Sequence, residues 1–370
     1  MKKILVIMDN LSIDAGVSTI VMNLYRKIDK KKICFDYLIC KETNNYYTEE
    51  IIKNNSKIYC FGNPLSIREF FHSTLRIKKF FKKKKGYYDI VHLHSPTLAF
   101  FTLKYAKKYG VKHRIVHSHS TMMSLSKIKS IINKYLIKKI PQYANHFWTC
   151  SFEAAKFLYN KSILEKNKIE VIKNAVDISK FVYNESIADN ITRIYNIDKK
   201  IVIAHISNFS PIKNHMFLID IIKHITLINN NISFLFIGDG PTKKLFEEKI
   251  NENDLNKFCI FTGRVQNVSD YLMISDLVIL PSLKEGLPLT IVEAQASGVP
   301  CAVSDTITKE VNTGIVKYLP LKKEKWTEYL KNVKKISLEE RKNNQKAFLN
   351  SQFNIEVESK RVENLYMNME

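Results

Sequence analysis

Short apolar runs recur along this chain at intervals that leave room for a helix between one run and the next. A first series of seven runs comprises KKILVIM (2–8), CFDYLIC (34–40), KIYCF (57–61), DIVHLH (89–94), HRIVHSH (113–119), HFWTCS (146–151) and EVIKN (170–174). A second series of five comprises IVIAHIS (201–207), ISFLFIG (232–238), FCIFTG (258–263), LVILPS (277–282) and PCAVSD (300–305). Such alternation is typical of doubly wound parallel sheets, so the chain is predicted to be an α/β protein with two Rossmann-like domains.

The length of 370 residues suits two domains of ordinary size. The stretch NAVDISKFVYNES interrupts the strand pattern, so residues 174–186 are predicted to link a first domain at 1–173 to a second at 187–350. In the tail at 351–370, helical spacing predicts a final helix carrying the apolar residues Ile355, Val362, Leu365 and Tyr366.

The positive charge is concentrated in the first half of the chain. Of the net +22, residues 1–180 carry +21, from 34 Lys and Arg against 13 Asp and Glu. A one-sided balance of this kind indicates an anionic partner, which is a phospholipid surface, a nucleic acid or an acidic acceptor.

The cysteines and the apolar segments argue against a disulfide-rich secreted protein and against a membrane-spanning one. The six cysteines form no C-x-x-C pair, which is typical of a reduced cytosolic protein. The start MKKILVIMDN resembles a signal peptide, but its apolar stretch ends after five residues at Asp9 and is predicted to be the first strand. No segment approaches the roughly 18–20 apolar residues of a membrane span.

The segment PSLKEGLPLTIVEAQASGVP (281–300) places two carboxylates, Glu285 and Glu293, around a Gly-Leu-Pro turn. Pro288 suits the first position of a helix of about nine residues, and Gly298 suits the position just past its end. The helix N-terminus attracts phosphate, and carboxylates accept hydrogen bonds from sugar hydroxyls. Apolar strands on both sides deliver this loop to the carboxyl edge of a parallel sheet, which suits a nucleotide-sugar ligand.

This block resembles the signature of the retaining glycosyltransferases of family 4, particularly the bacterial branch that builds capsular polysaccharides and exopolysaccharides. The resemblance implies the GT-B fold, in which two Rossmann-like domains face each other across a cleft and the last helix returns to the first domain. It also implies a UDP-sugar as donor substrate and no metal or other cofactor. The chain has no D-x-D motif, which agrees with a metal-independent enzyme.

The resemblance assigns roles to individual residues of the second domain. Glu285 would hold the donor sugar, Glu293 the ribose, and Lys213 the donor diphosphate. The family places an arginine where this chain has Asn208, and Arg264 is the predicted substitute for the missing cation. The remaining donor-binding residues implied in this domain are Gly238, Gly286, Leu287 and Leu289.

In the first domain the resemblance implies two further site residues. Gly16 stands in the loop where the family has a glycine pair, although here the pair is Ala15-Gly16. A histidine at a strand end would contact the hydroxyls of the donor sugar, with His119 as the best match and His117 as the alternative. His119, Lys213 and Glu285 are therefore the predicted catalytic residues.

The clustered histidines admit a second interpretation as a zinc site. The histidines concentrate at two predicted strand ends, with His92 and His94 at one and His113, His117 and His119 at the other. No cysteine or carboxylate completes a closed set of ligands in the sequence pattern, so hydroxyl binding is preferred.

Ser151, in the segment TCSFEAAKFL (149–158), is predicted to be a structural N-cap.

Two lysine-rich amphipathic stretches, at 66–86 and 126–140, account for much of the positive charge. Each fits an ordinary helix packed on the sheet, and each also fits docking on anionic lipid. Both interpretations can hold together, with the apolar stripe buried and the lysines facing lipid headgroups.

The leading hypothesis is a cytoplasmic glycosyltransferase, peripheral at the inner face of the cell membrane, that acts on a lipid-diphosphate-linked polysaccharide precursor. A sugar-nucleotide 2-epimerase would share the fold without needing a basic domain. A degenerate GT-B subunit that supports a partner would explain Asn208 and Ala15. A nucleic-acid binder would explain the charge but gives the two glutamates no role.

Overall fold

The computed structural model describes residues 1–12, 16–40, 47–62, 67–95, 99–119, 138–165, 169–349, 351 and 353–370. The chain divides into two compact units by its internal contacts. Unit 1 comprises Met1–Asn174 together with Ile355–Glu370, and unit 2 comprises Ala175–Asn354.

Unit 1 is a parallel sheet in the order β3-β2-β1-β4-β5-β6-β7. Its strands are β1 (Lys2–Met8), β2 (Ile33–Ile39), β3 (Ile58–Cys60), β4 (Ile90–Leu93), β5 (His113–Ser118), β6 (His146–Thr149) and β7 (Ile169–Val171). Its helices are α1 (Gly16–Lys27), α2 (Thr48–Lys53), α3 (Ile67–Lys83), α4 (Ala99–Lys108), α5 (Phe152–Leu158), α6 (Lys161–Glu165) and the final helix α14 (Ile355–Met367).

Unit 2 is a parallel sheet in the order β10-β9-β8-β11-β12-β13. Its strands are β8 (Ile201–Ile206), β9 (Ile232–Ile237), β10 (Cys259–Gly263), β11 (Leu277–Leu280), β12 (Cys301–Ser304) and β13 (Val316–Leu319). Its helices are α7 (Glu185–Tyr195), α8 (Leu218–Ile228), α9 (Lys243–Glu252), α10 (Val268–Met273), α11 (Leu289–Ala296), α12 (Lys323–Leu330) and α13 (Leu338–Leu349). Short 3-10 turns include Ile178–Phe181 and Pro211–Lys213.

The predicted α/β fold class is confirmed, because both sheets are parallel and both contain the doubly wound order 3-2-1-4-5-6. All twelve predicted strands are present, most of them a residue or two shorter than the apolar run. The central strands are buried on both faces, which is why their sequences are continuously apolar. Strand β13 was not predicted, because it lies at the edge of the sheet and its exposed Lys317 interrupts the apolar run.

The final helix is fastened to unit 1 by polar contacts at its middle. The buried carboxylate of Glu358 accepts a hydrogen bond from the backbone N–H of Lys173 at 2.7 Å. Arg361 pairs with Glu358 and with Glu170, and its guanidinium also donates to the carbonyl of Val171. These contacts join α14 to β7 and to the residues that follow it.

Residues 174–186, the predicted linker, contain the 3-10 turn Ile178–Phe181 and the beginning of α7. From Ala175 onward they belong to unit 2. There Val176 forms an isolated parallel bridge with Asn354, so the two ends of unit 2 lie side by side.

Ser151 is the N-cap of α5, as predicted, since its hydroxyl accepts a hydrogen bond from the N–H of Ala154 at 3.2 Å. The lysine-rich stretch at 66–86 largely forms α3. Most of the second stretch, residues 126–137, lies outside the described residues.

Gly298, just past the end of α11, has φ +70°, and a Cβ there would lie 2.1 Å from the carbonyl oxygen of Arg341. Gly263 has the same φ of +70° but has no atom within 4 Å of an added Cβ. Gly263→Ala should cost about 1–2 kcal/mol of unfolding free energy, the strain of a left-handed alanine. Gly298→Ala should cost clearly more, because backbone must also move.

Urea unfolding of unit 2, followed by the fluorescence of Trp326 in a Trp148→Phe background, measures both changes. Equal losses for the two glycine variants would contradict the close approach of Gly298 to Arg341.

Candidate active site

The predicted residues of unit 2 follow the carboxyl ends of neighbouring strands. Lys213 lies in the 3-10 turn after β8, and Glu285 lies in the loop after β11. These two strands are adjacent in the sheet but their connections run to opposite sides, so the two loops flank the topological switch point. Open α/β sheets bind ligands at this place.

Lys213 and Glu285 form an ion pair, with 2.5 Å between Lys213 Nζ and Glu285 Oε1. Their side chains are only 18% and 15% exposed. The pair is therefore better shielded from water than an ordinary surface ion pair, and each charge is held by the other.

Backbone contacts fix the two loops that carry this pair. The N–H of Leu283 donates to the carbonyl of Ile212 at 2.8 Å. The side-chain amide of Asn214 donates to the carbonyl of Pro281 at 3.1 Å, and Asn214 itself adopts a left-handed conformation with φ +59°. These residues were not singled out in the sequence, although asparagine is a common choice for a left-handed turn position.

Helix α11 begins beside this pair. The prediction that Pro288 is the first helical residue is wrong by one position, since Pro288 is extended (ψ 113°) and acts as the N-cap. The helix has eight residues, and its first N–H groups have no partner within the helix. Gly298 lies just past its end, as predicted, and the structure shows it in the left-handed conformation.

Glu293 lies on the partly exposed side of α11, one turn beyond Leu289. Burial raises the pKa of this carboxyl to about 8, and the charge of Lys180 only partly offsets this effect. The raised pKa favours the protonated form of Glu293. A protonated carboxyl can donate one hydrogen bond and accept others, which suits a diol such as ribose.

The buried Gln295 fixes the orientation of α11. Its amide nitrogen donates to the carbonyls of Ile291 and Val311, and its oxygen accepts from both the backbone N–H and the hydroxyl of Thr313. Because every polar atom of this side chain is paired, rotation of the helix would break several buried hydrogen bonds.

Gly238 and Asn208 meet at the ends of β9 and β8. A Cβ on Gly238 would lie 1.9 Å from the carbonyl oxygen of Ser207, and Gly238 has φ +136°. Only glycine permits this close approach of the two loops. The exposed side chain of Asn208 accepts a hydrogen bond from the hydroxyl of Ser210 at 3.0 Å.

Arg264 follows β10 and pairs with Asp239, with 3.7 Å between Arg264 Nε and Asp239 Oδ2. Both side chains are about half exposed. Arg264 therefore lies at the same sheet edge as Lys213 and Asn208, and its charge is partly balanced by a neighbouring carboxylate. Gly286 and Leu287 are buried between Glu285 and α11.

Gly16, the predicted residue of unit 1 nearest the first strand, is the first residue of α1. An added Cβ there would have no atom within 4 Å, so no close approach requires a glycine at this position. Ala15, its predicted companion, lies outside the described residues.

Four histidines at the ends of β4 and β5 form two stacked pairs, which we call the histidine array (His92, His94, His117 and His119). In the inner pair, His92 Nε2 and His117 Nδ1 share a hydrogen bond of 3.1 Å. In the outer pair, His94 Nδ1 and His119 Nε2 share one of 2.7 Å. The outer pair lies against the inner pair, with ring centroids 4.0 Å apart for His92 and His94 and 3.9 Å apart for His117 and His119.

The array is anchored on the final helix through His92. The hydroxyl of Tyr366 lies 2.6 Å from His92 Nδ1, and Trp148 packs edge-on against the His92 ring. Among the described residues, no hydrogen-bond partner is found for the buried atoms His94 Nε2, His117 Nε2 and His119 Nδ1. The repeated H-x-H at two adjacent strand ends could have predicted the pairing, but Tyr366 carried no such signal.

Burial keeps the array neutral. It lowers the pKa of His92, His94 and His117 well below the usual value, and that of His119 to about 3. Neutral imidazoles donate one hydrogen bond and accept another, as sugar hydroxyls do.

Two doubly wound sheets, with a lysine–carboxylate pair at the switch point of the second, agree with the predicted GT-B architecture. Sequence comparison matches residues 15–180 to "Glycosyltransferase Family 4" and residues 188–348 to "Glycosyl transferases group 1". The chain belongs to this glycosyltransferase family, and the predicted enzyme class is confirmed.

Relatives with related names cover most of the chain. A putative glycosyltransferase, EpsF of Bacillus subtilis, is 30% identical over 81% of this chain and 78% of its own length. An Escherichia coli UDP-Gal:alpha-D-GlcNAc-diphosphoundecaprenol alpha-1,3-galactosyltransferase is 30% identical over 72% of this chain and 70% of its own. CapH of Staphylococcus aureus, named for capsular polysaccharide biosynthesis, is 30% identical over 61% and 62%.

Solved structures share the fold. Anabaena Alr3699/HepE, in complex with UDP and glucose, superposes with a TM-score of 0.80 at 14% identity over the whole of both chains. WaaG, a glycosyltransferase involved in lipopolysaccharide biosynthesis, gives 0.71 at 9% identity over 99% of this chain and all of its own. The predicted GT-B fold is confirmed.

Among the helices that the structure describes, none combines the length and the hydropathy that a membrane span requires.

The buried histidines predict that unit 1 loses stability in mild acid. Their pKa values are lower in the folded state than the usual 6.5, so the unfolded chain binds protons first as the pH falls below 6.5. The stability is complete above this pH and should fall by about 1.4 kcal/mol per pH unit for each such histidine until its folded pKa is reached.

Urea unfolding of Trp326→Phe, with Trp148 as the reporter of unit 1, should show this decrease between pH 7 and pH 5. A constant unfolding free energy over this range would contradict a buried neutral array.

Proposed function

We propose that this chain is a retaining glycosyltransferase that moves a sugar from a UDP-sugar to a lipid-diphosphate-linked precursor in capsule, exopolysaccharide or O-antigen synthesis. The observation that carries the proposal is the shielded Lys213–Glu285 pair at the switch point, beside the N-terminus of α11. It offers a cation and a carboxylate together, which a ligand that is part diphosphate and part sugar needs.

The first step of the proposed mechanism is an exchange of partners at Lys213. The donor diphosphate takes the place of Glu285 on the ammonium group, and the free N–H groups of α11 add partial positive charge. Glu285 is thereby released to accept hydrogen bonds from the donor sugar. One anion replaces another on Lys213, so its ammonium group stays paired throughout the exchange.

In the transfer step, the bond between the anomeric carbon and the diphosphate breaks, and the diphosphate leaves with the bonding electrons. An acceptor hydroxyl oxygen forms the new bond to the same carbon, and its proton passes to the departing diphosphate. Lys213 and the helix N-terminus stabilise the charge that develops on the diphosphate, which is the main electrostatic task in this reaction. No covalent nucleophile is assigned, and retention rests on the family resemblance.

The remaining residues assist donor binding. Glu293, held by the locked helix, would hydrogen-bond the ribose hydroxyls, and Gly238 keeps the neighbouring loop free of a side chain. Arg264, which pairs with Asp239, would also contact the phosphate and so supply the cation that Asn208 lacks. In unit 1, His119 would hydrogen-bond a hydroxyl of the donor sugar through Nδ1.

The UDP donor and the lipid-linked acceptor are supported by the name of the Escherichia coli relative, which includes both UDP-Gal and a diphosphoundecaprenol-linked sugar. Participation in capsule or exopolysaccharide synthesis is supported by the names of relatives such as CapH. We place the enzyme in the cytoplasm at the inner face of the membrane, where such an acceptor is accessible.

The outer face of α3 is the proposed membrane contact. Phe71 and Leu75 are 64% and 52% exposed, and Lys78, Lys79 and Lys82 continue the same side of the helix. The opposite side packs into the core through Ile77 and Phe81. Two exposed apolar side chains beside a row of lysines suit a surface of anionic headgroups, where each lysine adds about 1 kcal/mol.

Asn208 favours one alternative, a subunit that binds donor or acceptor without catalysis. An asparagine cannot neutralise the leaving diphosphate, and Arg264, at the same sheet edge, is already paired with Asp239. UDP binding without sugar transfer would support this alternative.

Release of UDP from a panel of UDP-sugars, with and without lipid-linked acceptor, tests the proposal. Lys213→Ala should reduce acceptor-dependent release by about 100-fold or more, since it removes the cation at the leaving group. Glu285→Ala should reduce it through loss of sugar contacts. The matched control is Lys249→Ala, which removes a surface ion pair of the same 2.5 Å length on α9 and should leave release unchanged. Full activity in Lys213→Ala would refute the assignment.

Co-sedimentation with vesicles containing anionic lipid tests the contact through α3. Phe71→Ser/Leu75→Ser should lower binding about tenfold or more, and added salt should weaken binding by the wild type. The control Leu227→Ser/Ile228→Ser removes two exposed apolar side chains at the end of α8 in unit 2. If both double variants bind like wild type, the outer face of α3 is not the contact.

A further inference from the structure

The outer pair of the histidine array is held on rigid backbone. The N–H of His94 donates to the carbonyl of Ile7 at 2.8 Å, which continues the ladder between β4 and β1. Just before His119, the hydroxyl of Ser118 donates to the carbonyl of Ala154 at 2.7 Å, and its carbonyl accepts from the N–H of Cys150. The bond between the two rings therefore joins two fixed strand ends.

A neutral imidazole carries one proton, so the 2.7 Å bond between His94 Nδ1 and His119 Nε2 couples the two rings. If His94 donates, then His119 must carry its own proton on Nδ1 and present a donor there. If His119 donates, then its Nδ1 presents an acceptor. The bond therefore couples the tautomers of the two rings: His119 Nδ1 is a donor when His94 donates and an acceptor when His119 donates.

We propose that His94 is a positioning residue, which fixes the ring orientation of His119 and couples its tautomer to its own, so that His119 Nδ1, which has no partner among the described residues, is presented to a sugar hydroxyl. The identity of the ligand rests on the proposed function. The coupling between the two histidines rests on the structure of unit 1 alone.

The array also contains a possible metal-ligand set, since one ring nitrogen each of His92, His94 and His117 lie within 4.8 Å of one another. The ring geometry opposes this use. In the inner pair the two ring planes are parallel to within 2°, and the ring centroids are 5.2 Å apart. This separation equals the 3.1 Å between the bonded nitrogens plus the distance from each nitrogen to the centre of its own ring. The two nitrogens therefore point at each other, and a zinc ion about 2.0–2.1 Å from both would require the rings to turn.

Three substitutions of His94 separate positioning from packing. Asparagine places its polar atoms near the position of Nδ1, glutamine places them near that of Nε2, and leucine removes them. We expect His94→Asn to keep the donor KM within about twofold of wild type. We expect His94→Leu and His94→Gln to raise it about fivefold to tenfold, the effect of one neutral hydrogen bond, with a smaller change in kcat.

A double-mutant cycle tests whether His94 acts through His119. In a His119→Ala background, His94→Leu should change the donor KM by less than about twofold, because the residue that it positions is absent. The control is His146→Leu, which breaks the 3.1 Å bond between His113 and His146 at the opposite ends of β5 and β6. It should leave the donor KM unchanged in both backgrounds.

Nitrogen-15 NMR of histidine-labelled protein reads the tautomer directly, whether or not transfer is detected. In wild type the fractions of His94 and of His119 that are protonated at Nδ1 should be equal, with each residue assigned by the loss of its signals in its own variant, and the His119 fraction should change in His94→Leu. An unchanged His119 tautomer in His94→Leu would overturn the proposal, as would additive effects in the cycle.

One zinc per purified chain that is lost in His94→Leu would also overturn it, in favour of a metal site. If no UDP-sugar is turned over by wild type but the tautomer changes as expected, the proposed function fails and the positioning role stands.

Discussion

The site of unit 2 depends on one contact, the ion pair between Lys213 and Glu285. Two shielded charges of opposite sign are stable only when each is close to the other, because removing either leaves an uncompensated charge in poor contact with water. The fold meets this requirement by placing one residue after β8 and the other after β11, and by tying the loops together at Ile212 and Leu283. The N-terminus of α11 is set beside the pair by the same loop that carries Glu285.

The two units contribute different chemical groups to the proposed function. Unit 2 holds charged groups and a carboxyl, Glu293, whose pKa is raised by burial. Unit 1 holds neutral imidazoles that burial prevents from charging. The histidine array adds nothing to the large positive charge of the first half of the chain. Much of that charge lies on exposed lysines such as those of α3. Ligand recognition and surface attraction are therefore carried by separate groups.

The sequence predicted the strands well because central strands of a parallel sheet are apolar on both faces, whereas the edge strand β13 is not. It also predicted the loop of Glu285 and the left-handed Gly298, which depend on local turn chemistry. The pairing of Lys213 with Glu285, the contact of Tyr366 with His92 and the raised pKa of Glu293 could not be predicted, because they arise between residues distant in sequence or from burial. The glycine at position 16 is not explained by any close approach in the structure.

The most direct test of the central claim is calorimetric titration of UDP into wild type, Lys213→Met and Glu285→Gln. If the diphosphate replaces Glu285 on Lys213, the lysine variant should bind UDP about tenfold more weakly or worse, and Glu285→Gln should bind it at least as tightly as wild type, because the competing carboxylate is gone. Unchanged affinity in Lys213→Met, or an equal loss in Glu285→Gln, would contradict the exchange of partners on which the account is built.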